Sequence, residues 1–190
     1  MRWLPNALTF FRLGSSPILV WLLFQQSYRA ALLLTLVAGL TDWFDGYAAR
    51  RLGTGGGTAG IGVLFDPLAD KALLVTLFVA LGVLRLIPFW MLALAIGRDL
   101  IIVVGALLLR IFRGKQRFVP STLGKVSTFF QIVLVLLVLL EAAFPYQLFQ
   151  WLSYLALLLA AIFTALSGLS YIRLGISIAR RRIDGTRGGE

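Results

Sequence analysis

The chain has 190 residues, 59% of them apolar, and a net charge of +10; its mean hydropathy is +0.91. A soluble domain is nearer half apolar, so the repeated long apolar runs point to a polytopic all-α membrane protein. Cysteine and histidine are both absent, which excludes disulfides, thiolate metal sites, imidazole bases and Ser-His triads; the positive charge reads as topology and anionic-lipid contact, not nucleic-acid binding.

Residues 1–12 (MRWLPNALTFFR) are partly apolar and carry two arginines. No small-residue cleavage site follows, so this is read as a juxtamembrane segment and not a signal peptide, with Trp3 and Phe10 at the interface. Pro5-Asn6 suits a helix start. Six transmembrane helices are expected next, at about 13–24, 30–50, 67–84, 88–111, 123–140 and 145–174. No long polar linker divides the chain, so residues 1–190 form a single domain. The tail at 180–190 is basic and Gly-rich and is expected to be disordered beyond its arginines.

Charge placement sets the topology. With the N-terminus inside, the inner face receives Arg2, Arg12, Arg50, Arg51, Arg110, Arg113, Lys115, Arg117, Arg180, Arg181, Arg182 and Arg187. The outer loops receive only Arg29, Arg85 and Glu141. That bias puts both termini in the cytoplasm. The expected location is the plasma membrane of a bacterium. There is no internal repeat, which argues against an inverted-repeat transporter.

Four of the eight acidic residues, Asp42, Asp45, Asp66 and Asp70, lie within one stretch that borders apolar runs on both sides. A carboxylate at membrane depth costs several kcal/mol unless a cation or water compensates it. Asp42 and Asp45 are three apart and Asp66 and Asp70 four apart, so each pair shares a helix face. The two spans are consecutive and joined on the inner side. Hard oxygen donors of this kind suit Mg²⁺ or Mn²⁺, with two ions expected, and zinc is disfavoured without His or Cys. Gly46 and Ala49 leave room for a ligand beside Asp45, and Arg50 offers a planar fork for phosphate. Carboxylates, a divalent metal and an arginine together describe a diphosphate site.

At these residues the chain resembles the CDP-alcohol phosphotransferases (CDP-alcohol phosphatidyltransferases). Their signature D-x2-D-G-x2-A-R…G-x3-D-x3-D is matched at Asp42, Asp45, Gly46, Ala49, Arg50, Gly62, Asp66 and Asp70. Eleven residues separate Arg50 from Gly62, three more than that family usually has, and the surplus is assigned to 54–57. Pro5-Asn6-Ala7-Leu8-Thr9 with Arg12, Asp66-Pro67-Leu68-Ala69-Asp70-Lys71, Gly97-Arg98-Asp99 and Ser121-x2-Gly124-Lys125-x2-Thr128-x2-Gln131 look like the phosphatidylglycerophosphate synthase branch. Cardiolipin synthases share similar motifs.

The resemblance implies transfer of a phosphatidyl group from CDP-diacylglycerol to an alcohol, with release of CMP, by a homodimeric membrane enzyme. It assigns Asp42, Asp45, Asp66 and Asp70 to metal, Asp70 also to the base, and Gly46, Ala49, Arg50 and Gly62 to the CDP moiety. The first-choice acceptor is sn-glycerol 3-phosphate. Its dianion needs cations, and Lys125, Arg173 and Arg98 are the candidates. Phosphatidylglycerol, giving a cardiolipin synthase, and inositol phosphate are the alternative acceptors. A cation channel built on the four acids and a non-catalytic scaffold are the readings from other classes.

Overall fold

In lipid a backbone must satisfy its own N–H and C=O groups, and within one segment only a helix does so. The computed structural model follows that rule. It describes the backbone of residues 4–51, 62–113 and 122–187, and the side chains of 14–41, 73–105 and 122–173. The described residues form six helices, α1 (Leu4–Phe24), α2 (Tyr28–Arg51), α3 (Gly62–Val83), α4 (Phe89–Arg113), α5 (Thr122–Ala143) and α6 (Gln147–Arg187). No strand occurs among them. Thr122–Ala143 and Gln147–Arg173 are long and apolar enough to cross a bilayer, while Gly14–Phe24, Tyr28–Thr41 and Leu73–Val83 are shorter apolar stretches.

Three expected boundaries need correction. The first helix begins well before residue 13, because α1 runs unbroken from Leu4 and includes most of the segment at 1–12. Pro5 falls in its first turn, where a missing N–H is harmless, and no further proline intervenes before Pro17. Helix α3 begins at Gly62, so Pro67 is its sixth residue and not its opening one. The apolar Val63-Leu64-Phe65 run extends the span upstream, and Pro67 forfeits only the bond to the fourth residue back. The tail expected to be disordered is helical as far as Arg187. Arginine is a good helix former, and three in a row prolong α6.

The chain divides into two units. The first comprises Met1–Pro88 and Val135–Ser153. Here α1 packs on both α2 and α3. Ser15, Leu19 and Leu23, four apart, are all buried and form one stripe of α1. Ala31 and Leu32 of α2 and Leu77, Phe78 and Leu81 of α3 are buried in the same unit. Two hydroxyls of α2 turn back on their own helix. Thr35 donates to the Ala31 carbonyl at 2.8 Å, and Thr41 to the Val37 carbonyl at 2.7 Å.

Helices α1 and α3 end in the same way. Gln26 N–H donates to Leu23 O at 3.0 Å and Ser27 N–H to Leu22 O at 2.9 Å. Arg85 N–H donates to Gly82 O at 3.1 Å and Leu86 N–H to Leu81 O at 2.9 Å. This paired pattern is the Schellman closure, which requires a left-handed residue after the helix. Gln26 (φ 56°) and Arg85 (φ 57°) supply it, although glycine would do so without strain. At the end of α5, Arg29 donates Nε–H to the Ala143 carbonyl at 3.4 Å and lies 5.0 Å from the Phe144 ring centroid.

The second unit comprises Phe89–Leu134 and Tyr154–Glu190. Met91, Leu92, Ala95, Leu134, Ala156 and Ala160 are buried in it. Phe130 of α5 stacks on Phe163 of α6 at 4.7 Å.

Candidate active site

The motif residues fall on two consecutive helices. Asp42, Asp45, Gly46, Ala49 and Arg50 lie on the C-terminal half of α2, and Gly62, Asp66 and Asp70 on the first turns of α3. Residues 52–61 connect them. The side chains of these eight residues, and the expected surplus at 54–57, lie outside the described residues. Among the described side chains no group of three or more potential metal ligands gathers. The four motif aspartates lie outside the described side chains, as do Asp184 and Glu190. Four carboxylates with no thiolate or imidazole in the chain are a hard-oxygen donor set, which fits Mg²⁺ or Mn²⁺.

The three cationic candidates for the acceptor differ sharply. Lys125, in the first turn of α5, and Arg173, on α6, are exposed. Arg98, on α4, is only 6% exposed, and all three of its guanidinium nitrogens have partners. Nε–H donates to Ser167 Oγ at 3.2 Å, Nη1 to Asp99 Oδ1 at 2.7 Å and Nη2 to the Gly124 carbonyl at 3.0 Å. The same carbonyl accepts from Thr128 Oγ1 at 3.1 Å. Gly168 stands beside the stem of Arg98, where an added Cβ would lie 3.8 Å from its Cγ. A Cβ at this point would make ordinary van der Waals contact with the arginine's stem, so the stem packs directly against α6 there.

A second buried group continues along the same two helices. Thr164 Oγ1 accepts from Gln131 Nε2 at 3.1 Å and shares a hydrogen bond with Ser127 Oγ at 3.1 Å. Ser127 and Thr164 are fully buried and Gln131 nearly so. Gly124, Ser127, Thr128 and Gln131 on α5 follow an i, i+3, i+4, i+7 spacing, as do Thr164, Ser167, Gly168 and Tyr171 on α6. Each set is one helix face. Sequence reasoning found Gly124, Lys125, Thr128 and Gln131 but missed Ser127, Thr164, Ser167 and Gly168. The matching four-residue spacing of small and polar residues within two apolar runs was the available signal.

An all-helical chain, two helices apolar and long enough to cross a bilayer among the described residues, and a buried arginine among hydroxyls are features of a membrane-associated protein. Its kind is specific. The CDP-alcohol phosphatidyltransferase family profile matches residues 2–166, and the chain belongs to that family. It is 32% identical to the CDP-diacylglycerol--glycerol-3-phosphate 3-phosphatidyltransferase of Bacillus subtilis over 88% of this chain and 92% of that one. It is 31% identical to the cardiolipin synthase (CMP-forming) of Homo sapiens over 90% of this chain and 61% of that one. The cardiolipin synthase/mitochondrial hydrolase fusion protein of Schizosaccharomyces pombe is 35% identical over 76% of this chain and 26% of its own length. The chain thus spans about a quarter of the fission yeast relative and three fifths of the human one.

Proposed function

We propose that this protein is an integral membrane phosphatidyltransferase that uses CDP-diacylglycerol as donor and sn-glycerol 3-phosphate as acceptor. The observation that carries the reading is the complete eight-residue signature, with its two aspartate pairs on the consecutive helices α2 and α3. The similarity to the Bacillus subtilis enzyme over 92% of that protein's length supports the choice of acceptor. In this reading six spans cross the bilayer, both termini and the chemistry are cytoplasmic, and the enzyme is a homodimer.

The acceptor's hydroxyl oxygen forms a bond to the phosphorus that carries diacylglycerol. The bond from that phosphorus to the CMP oxygen breaks, CMP leaves with the electron pair, and Asp70 takes the hydroxyl proton. No histidine exists to do so, and a carboxylate within reach of the acceptor is the available base. Mg²⁺ or Mn²⁺ held by Asp42, Asp45, Asp66 and Asp70 supplies charge neutralisation on the diphosphate. Arg50 forks onto phosphate, and Gly46, Ala49 and Gly62 leave space for the nucleotide. Lys125 and Arg173 meet the acceptor's phosphate monoester.

The similarity to the human cardiolipin synthase favours a second acceptor, phosphatidylglycerol. One assay separates the two. Purified protein is given CDP-diacylglycerol, Mg²⁺ and each alcohol in turn, and CMP release is measured. Turnover with glycerol 3-phosphate supports the reading, and turnover with phosphatidylglycerol alone replaces it with the second. Asp70→Asn is expected to lower kcat by about 10²- to 10⁴-fold. Activity within a few-fold of wild type would remove Asp70 from the role of base.

A further inference from the structure

Arg98 is held by more contacts than a role in meeting the acceptor alone requires. It is 6% exposed, and burying a guanidinium is costly enough that apolar packing would often serve stability as well. What the arginine adds is a fixed geometry. Its Nε–H is held by Ser167 of α6, its stem lies against Gly168, and Asp99 balances its charge. From that mount Nη2 reaches the carbonyl of Gly124 at 3.0 Å.

Gly124 has no side chain by which packing could hold the first turn of α5. Its carbonyl is the handle, and Arg98 and Thr128 both grip it. The next residue is Lys125, exposed and without an ion-pair partner among the described residues. Adjacent Cα atoms are about 3.8 Å apart, so anchoring the Gly124 peptide fixes where the Lys125 side chain starts.

We infer that Arg98 is a positioning residue: held by Ser167, it clamps the Gly124 carbonyl and thereby sets the place of Lys125 for the acceptor's phosphate. The inference rests on the proposed role of Lys125. A lysine at 98 keeps the charge but lacks the planar fork that serves Ser167, Asp99 and Gly124 together.

The test uses the full chain purified in detergent, with calorimetric binding of sn-glycerol 3-phosphate and steady-state CMP release against each substrate. Arg98→Lys is expected to raise the acceptor's Kd and KM about tenfold, with kcat and the KM for CDP-diacylglycerol within about twofold of wild type. Ser167→Ala shifts the acceptor terms in the same direction by about threefold, and it decides the matter if Arg98→Lys does not fold. In a Lys125→Ala background, Arg98→Lys adds less than about twofold, because the two act through one contact. Equal losses for both substrates, a loss confined to kcat, or full multiplication of the two effects overturns the inference. Wild-type protein that neither binds nor uses glycerol 3-phosphate overturns the proposed acceptor, and the inference with it. Normal wild-type turnover with no acceptor effect in either variant defeats the inference alone.

Discussion

The two units of this protein are filled differently. In the first, the described interior is leucine, alanine, valine, isoleucine and phenylalanine, with Ser15 and Ser153 as its buried polar residues among those described. In the second, Arg98, Ser127, Gln131, Thr164 and Ser167 are buried and bond to one another or to α5's backbone across helices. Helices in lipid gain little from hiding apolar surface, since acyl chains are as apolar as leucine. Among the described residues, the buried side chains of α1, α2 and α3 are apolar apart from Ser15. Polar residues inside a span are costly and direction-specific, and among the described side chains those that bond across helices lie in the second unit, while the motif aspartates belong to the first.

That contrast can be broken by substitution. The largest expected stability effect is at Arg98. Arg98→Leu leaves the Asp99 carboxylate without its guanidinium and should cost about 3–5 kcal/mol. Its apolar counterpart in the first unit, Leu81→Ala, should cost about 2–4 kcal/mol through the cavity it opens, with the acceptor KM unmoved. Unfolding in detergent together with substrate kinetics checks both. If the leucine variant also weakens acceptor use, the apolar interior of the first unit does more than hold its helices together.

Thr164→Val is a gentler probe. It removes the hydroxyl that Gln131 and Ser127 share, and about 1–2 kcal/mol should be lost. A neutral result would mean that these hydroxyls are as dispensable as apolar filling. The smallest effects belong to the helix ends of the first unit. Gln26→Gly and Arg85→Gly relieve left-handed strain at residues whose side chains are exposed. Each should stabilise by about 0.5–1 kcal/mol in a thermal melt, without altering turnover.

Much of this arrangement was legible in the sequence. Apolar runs located the helices, because the run length a bilayer demands follows from its thickness and the fixed rise of a helix. The aspartates stood out because intramembrane acids are rare. The start of α3 was misread because Pro67 looked like an opening residue, whereas one lost bond near a helix N-terminus is tolerable. The hydroxyls of the second unit were harder. A serine or threonine in a span can bond its own helix, as Thr35 and Thr41 do, or reach a neighbour, as Thr164 does. Both uses look alike as single letters, and only the packing of α4, α5 and α6 separates them.

The length of α6 has a consequence of its own. Its 41 residues make a rod of about 60 Å, roughly twice the hydrocarbon depth of a bilayer. The sequence stays largely apolar to Ala179, and Arg180, Arg181, Arg182 and Arg187 follow at the helix's C-terminal end. A helix of that length exceeds what one crossing requires, and the excess is its cationic end. A cationic end of this kind would hold anionic lipid with a grip that fades as ionic strength rises.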